Sequence, residues 1–157
     1  MPGPVIFEAI GKPLVVAHAL CAFSAAAVSV HLALHARSVA RRRGGHKRGR
    51  VFAKTTGILF AATVLTGLLA YPNFRYHVRG LYLDHHFPWA SNLFDMKENL
   101  ALLILPFMAL ALWTDASSAK DDTAAAKKTF AWSTAVTAAV LAACVVMGLV
   151  ITLVKGV

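Results

Sequence analysis

Residues 130–154 read FAWSTAVTAAVLAACVVMGLVITLV, 25 consecutive positions without a charged side chain. A helix rises about 1.5 Å per residue and the hydrocarbon core of a bilayer is about 30 Å thick, so roughly 20 mainly apolar residues cross it. This stretch therefore has the length and the chemistry of a membrane-spanning helix. Residues 14–36 and 51–71 satisfy the same test. A fourth apolar run, 100–113, is short and reaches spanning length only by extending backward through Asn99, Glu98 and Lys97, which gives a span at 97–113. Pro106 inside it predicts a kink, because proline removes one backbone donor and its ring clashes with the preceding turn.

Composition agrees. Hydrophobic residues make up 58% of the chain and charged ones 15%, too apolar for a domain that must cover its core with polar side chains. With 157 residues and no internal repeat, the chain reads as one domain, 1–157, and the expected fold class is all-α: an integral membrane four-helix bundle. Between the second and third spans, Tyr71, Phe74, Val78 and Leu81 recur at helical spacing while Arg75 and Arg79 stand four apart. That pattern predicts a short interfacial helix, and the rings of Tyr76, Tyr82, Phe87 and Trp89 suit headgroup depth. Small residues four apart, Ala135, Ala139 and Ala143 in the last span and Ala22 with Ala26 and Ser29 with Ala33 in the first, predict faces where helices approach closely.

The formal charge is +9, and residues 37–50 alone hold seven Lys or Arg and no acid. Beside an apolar span such a cluster sets orientation and does not imply a nucleic-acid partner. Adding Lys54, Lys120, Lys127 and Lys128 places eleven basic residues on the cytoplasmic side. Lys12, Arg75, Arg79, Lys97 and Lys155 leave five on the other. Both termini and the 72–97 connection are thus expected outside a bacterial-type inner membrane, with membrane lipid and other membrane subunits as partners. Glu8 and Lys12 stand where a secretory signal would carry a basic region, so the first apolar run reads as a genuine span. Cys21 and Cys144 lie within apolar stretches and read as packing residues. Leu20 before Cys21 does not suit a lipoprotein cleavage site.

Seven histidines are present, none of them in the second, third or fourth span, so a haem held by imidazoles on two facing helices cannot be built within the bundle. His18 lies near the outer end of the first span, and His77, His85 and His86 belong to the outer connection. Folded over the bundle, that connection would bring these four toward Asp84, Asp95 and Glu98, a donor set suited to haem b or a transition metal, with His85 and His86 as the metal candidates. The plainer reading is that an interfacial histidine is an amphipathic residue at the water boundary. His31 and His35 share a helix face but lie beside Arg37, where water and lipid phosphate are within reach. Asp95, Lys97 and Glu98 need an explanation, since ionisable groups near the membrane are costly unless paired or functional. One is a lock, with Arg75 or Arg79 pairing to the acids at a helix start; the other is a proton or quinone site at Glu98. No Gly-rich phosphate loop and no Ser/His/Asp order occurs, and no catalytic residue is assigned.

Residues 46–71, HKRGRVFAKTTGILFAATVLTGLLAY, resemble the HR-x-x-GR opening and later glycine of small bacterial four-span membrane proteins of the cytochrome b561-like and oxidase-associated type. The resemblance covers about 26 residues and implies an electron-transport setting with histidines as haem ligands. Those cytochromes carry histidines on several spans, and this chain departs from that pattern. The expectation is a small multi-pass subunit of a redox or respiratory assembly, structural or accessory. The alternative is a stand-alone haem- or metal-binding membrane protein using His18 and the outer histidines.

Overall fold

The computed structural model describes residues 6–41, 46–118 and 123–155. Residues 42–45 of the basic loop, and 119–122 with Lys120, lie outside the described residues. The described chain is helical, and four helical stretches are long and apolar enough to cross a membrane: Glu8–Arg41, Gly49–His86, Pro88–Asp115 and Ala124–Val154.

Helix α1 (Gly11–Arg41) and helix α2 (His46–Asn73) run antiparallel. Their pairing is visible at both ends. Gly11 at the start of α1 lies against the Asn73 side chain, and His35 near its end lies against Gly49. A Cβ on Gly11 would stand 1.6 Å from Asn73 Nδ2, so this approach exists because position 11 has no side chain. From Asn73 the helix continues without a break through a π-helical segment, Phe74–Leu83, and a last turn, α3 (Asp84–His86). The expected interfacial helix is therefore the extension of the second span. Pro72 accounts for the change of winding: it offers no N–H to the carbonyl one turn earlier, and a looser i to i+5 ladder absorbs the lost bond. The helix stops at Phe87, where Pro88 opens α4 (Pro88–Leu102).

The third stretch starts at Pro88, nine positions before the expected boundary at 97, because α4 gains its packing from Ala90, Ser91 and Phe94 rather than from a long apolar run. It is interrupted at Leu103, whose N–H bonds Leu100 O at 3.1 Å, before α5 (Ile104–Ser118) resumes. Pro106 explains the place of the break, since its ring crowds the carbonyl four residues earlier, that of Leu102. Helix α6 (Ala124–Val154) begins at Thr123, whose hydroxyl caps Ala126 N–H at 3.3 Å.

Around the bundle, α1 packs on α2 and α6, α4 and α5 pack on α6, and α2 meets α5. The core forms three layers. Leu32, Ala36, Ala53, Ala111 and Phe130 fill the end near the Arg37–Arg41 turn, here the basic end. Ala25, Phe60, Ile104 and Leu141 fill the middle. Val78, Leu83, Ala90, Phe94 and Ile151 fill the opposite, aromatic end. Close approach comes from buried hydroxyls: Ser29, Thr56, Ser133, Thr134 and Thr137 are fully buried, and each bonds a carbonyl of its own helix three or four residues back. Satisfied in this way, they leave only small apolar surface toward the neighbour. The alanine stripe expected to do this in the last span points elsewhere. Ala135 and Ala139 are exposed, while Ser133, Thr134, Thr137 and Ala138 are buried.

Candidate functional site at the aromatic end

Two cations of the 72–99 connection, Arg79 and Lys97, converge on one ring, Phe94 of α4. Phe74 stacks on it at 4.6 Å and Tyr71 at 6.2 Å between centroids. The Lys97 ammonium stands 4.9 Å and the Arg79 guanidinium 5.9 Å from the ring centre, within the range of cation–π attraction. Arg79 donates from both terminal nitrogens to Asp95, at 2.6 and 2.9 Å, a fork-to-fork geometry that fixes orientation as well as charge. Its Nε lies 3.7 Å from Asp84 Oδ1, and that same oxygen accepts a hydrogen bond from the buried Ser91. Arg75 donates to the Tyr71 hydroxyl at 3.1 Å. One turn further on, Tyr82 is stacked by His86 at 4.9 Å and faced by the Lys155 ammonium at 4.8 Å. That contact ties the end of α6 to the extension of α2.

Of the six charged residues singled out, Arg75, Arg79, Asp84, Asp95 and Lys97 belong to this arrangement. Glu98 does not. Its side chain is on the exposed face of α4, and it makes no ion pair or hydrogen bond to a described residue. Lys97 also lies deeper than its position in the sequence suggests: its carbonyl is 3.7 Å from Cys144 Sγ, ten residues before the end of α6 at Val154, or about 15 Å of helix.

The candidate histidines share no bonding partner among the described residues. His18 in α1 is half-buried between helices, with Nδ1 2.8 Å from the Thr63 carbonyl. A carbonyl only accepts, so Nδ1 carries the proton and Nε2 is left as the electron-pair donor. Gly67 makes room for the ring, since a Cβ there would stand 3.0 Å from two of its atoms. His77 Nε2 is 3.2 Å from Glu8 Oε1, His86 Nδ1 is 3.1 Å from the Tyr82 carbonyl, and His85 is exposed. Among the described residues no group of three or more His, Cys, Asp or Glu side chains is placed to hold a metal ion. The remaining pair, His31 and His35, lies against Phe52 at 6.4 and 6.2 Å.

Four participants are not singled out by the sequence alone. Phe94 was one aromatic among several, and its role comes from the turn of α4 that faces the π-helical segment. Thr63 and Gly67 lie four apart on α2 opposite His18, a pairing readable only once the helices are in register. Asp115 belongs to a stretch, 114–128, that reads as a solvated connection. It is instead 3% exposed and pairs with Arg50 at 3.2 Å, leaving Oδ1 without a partner.

No protein-family model matches the chain, and no curated protein or solved structure was found to be similar to it.

Proposed function

We propose that the chain is a four-span protein of a bacterial-type inner membrane, with both termini outside, and that it serves as a small accessory subunit of a redox or respiratory assembly. The observation that carries the accessory role is the use made of the charges at the aromatic end. They close on one another through the Arg79–Asp95 fork and the Phe94 ring, so the region works as an intramolecular lock that holds α2, α4 and α6 in register. The four long apolar stretches support membrane insertion, the basic count on either side supports the orientation, and the resemblance of residues 46–71 to cytochrome b561-like and oxidase-associated proteins supports the redox setting.

A second reading rests on His18. An imidazole whose Nδ1–H is held by a carbonyl and whose Nε2 is left over has the arrangement that orients histidine toward a metal. With no histidine on the other spans, a haem b iron there would take its second ligand from an outer histidine or a partner's residue. A transition metal at His85 and His86, or a quinone beside Glu98, would share that outer region.

The test has two parts. Membranes washed at alkaline pH retain the chain if it spans them. Purified in mild detergent, an accessory subunit migrates with a larger assembly and has no absorption of its own in the Soret region; a haem protein shows a Soret band that His18→Ala abolishes. A chain that migrates alone without a band contradicts both readings.

A further inference from the structure

Helix α1 turns one face away from the bundle. Phe23, Ala27, Val30 and Leu34 are exposed on it at spacings of four, three and four, and the same line continues into Arg37 and Arg41, also exposed. From Phe23 to Leu34 the stripe is about 17 Å long, close to one leaflet of a hydrocarbon core about 30 Å thick. Where the apolar part ends, Leu34, Arg37, Ser38 and Arg41 are the described residues that line a shallow groove open to the surroundings. Arg37 and Arg41 are one helical turn apart and make no ion pair or hydrogen bond to a described residue. The third polar residue in the groove is a hydroxyl, able to donate to a phosphate oxygen.

We propose that this face binds one phospholipid with an anionic headgroup, its phosphate held by Arg37, Arg41 and Ser38 and an acyl chain lying along Leu34, Val30, Ala27 and Phe23. The occupant is set by complementarity at both ends. Two unpaired guanidiniums four residues apart call for a compact multivalent oxyanion, and the stripe calls for an alkyl chain one leaflet long. A basic loop that only directs insertion needs charge but not a groove, nor an apolar track in line with it. The inference rests on the membrane reading above, which alkaline extraction tests separately.

The full chain, purified in detergent, is titrated with phosphatidylglycerol and with phosphatidylcholine of the same acyl chains, and bound lipid is read by native mass spectrometry. One retained phosphatidylglycerol is expected, with phosphatidylcholine bound far more weakly. In the double variant Arg37→Gln, Arg41→Gln the binding falls roughly thirtyfold, about fivefold or more for each guanidinium. The double variant Lys54→Gln, Lys128→Gln removes the same charge from exposed positions elsewhere and leaves binding unchanged, and circular dichroism confirms that both variants are folded. Equal loss in the two variants reduces the effect to general charge attraction and overturns the proposal, as does equal binding of the two lipids. Full competition by millimolar inorganic phosphate assigns the site to the free anion and overturns the lipid. Unchanged lipid binding in the arginine variant, with dispersal of a larger assembly on a native gel, assigns the face to an acidic protein surface. A chain that alkaline washing strips from membranes but that still binds lipid selectively overturns the membrane reading alone.

Discussion

Arg79 and Asp95 face each other across the junction of the π-helical segment and α4, with both terminal nitrogens of the arginine bonded to both oxygens of the aspartate at 2.6 and 2.9 Å. Their side chains are 24% and 44% exposed, so screening limits the pair to about 1 kcal/mol. Asp95→Asn and Arg79→Gln should each lower thermal stability in detergent by a few degrees, and the double variant should lose less than the sum. Arg79→Lys should behave like Arg79→Gln, because an ammonium cannot reproduce the fork. Glu98→Gln should leave the transition where it is. If Glu98→Gln costs as much as Asp95→Asn, the lock has been assigned to the wrong acid.

His18 owes its seat to Gly67. A methyl at position 67 would approach the imidazole to 3.0 Å, and a ring held between helices has little room to give. Gly67→Ala should therefore break the bond from Nδ1 to the Thr63 carbonyl and cost about 1–3 kcal/mol, the usual range for overpacking. Gly57→Ala on the same helix meets nothing within 4 Å and should be neutral or stabilising by roughly 0.5–1 kcal/mol. Denaturation of the two variants side by side decides the matter, and equal effects would remove the steric argument.

At the basic end, Asp115 is almost fully buried while its partner Arg50 is half-exposed. Removing the arginine leaves the buried carboxylate without this counter-charge, and breaking a fully buried pair costs about 3–5 kcal/mol. Because Arg50 is partly hydrated, about 1–3 kcal/mol is expected for Arg50→Gln. Asp115→Asn added to that variant should restore most of the loss, since the neutral amide no longer needs a counter-charge. No recovery in the double variant would mean that Arg50 acts through packing of its stem.

The four apolar stretches were legible from length and polarity alone, and so was a helix after Tyr71, because both are properties of local sequence. What was not legible depends on phase between helices. Ala135, Ala139 and Ala143 have the right spacing for close approach, yet Ser133, Thr134 and Thr137 take the buried face, since a hydroxyl that bonds its own helix is as small toward its neighbour as an alanine. The expected span at 97–113 lies within a helical stretch that begins at Pro88, where Ala90 and Phe94 bury themselves under the extension of α2. The pairing of Arg79 with an acid at the start of the third stretch followed from charge, but its choice of Asp95 over Glu98 is a matter of about 100° per residue around the helix. His18, His77, His85 and His86 share one end of the expected topology, which alone brings them into one region. In the structure His18 meets Thr63, His77 meets Glu8 and His86 meets Tyr82, while His85 is exposed.

Orientation is the remaining expectation, and the fold makes it stricter. Arg50 bonds Asp115 at one end of the bundle, while Gly11 touches Asn73 and Ile151 joins the Val78–Phe94 layer at the other. Arg50 of α2 and Asp115 of α5 thus stand at one end of the bundle, and residue 80 at the opposite one. With eleven basic residues against five, reporter fusions at residues 45 and 120 should be cytoplasmic and a fusion at residue 80 external. Replacing Arg41, Arg42 and Arg43 by glutamine should weaken this preference and give mixed reporter activity at all three sites together. Fusions at 45 and 120 that report opposite sides would contradict the antiparallel bundle itself, whereas a coherent reversal of all three would keep the bundle and invert its orientation.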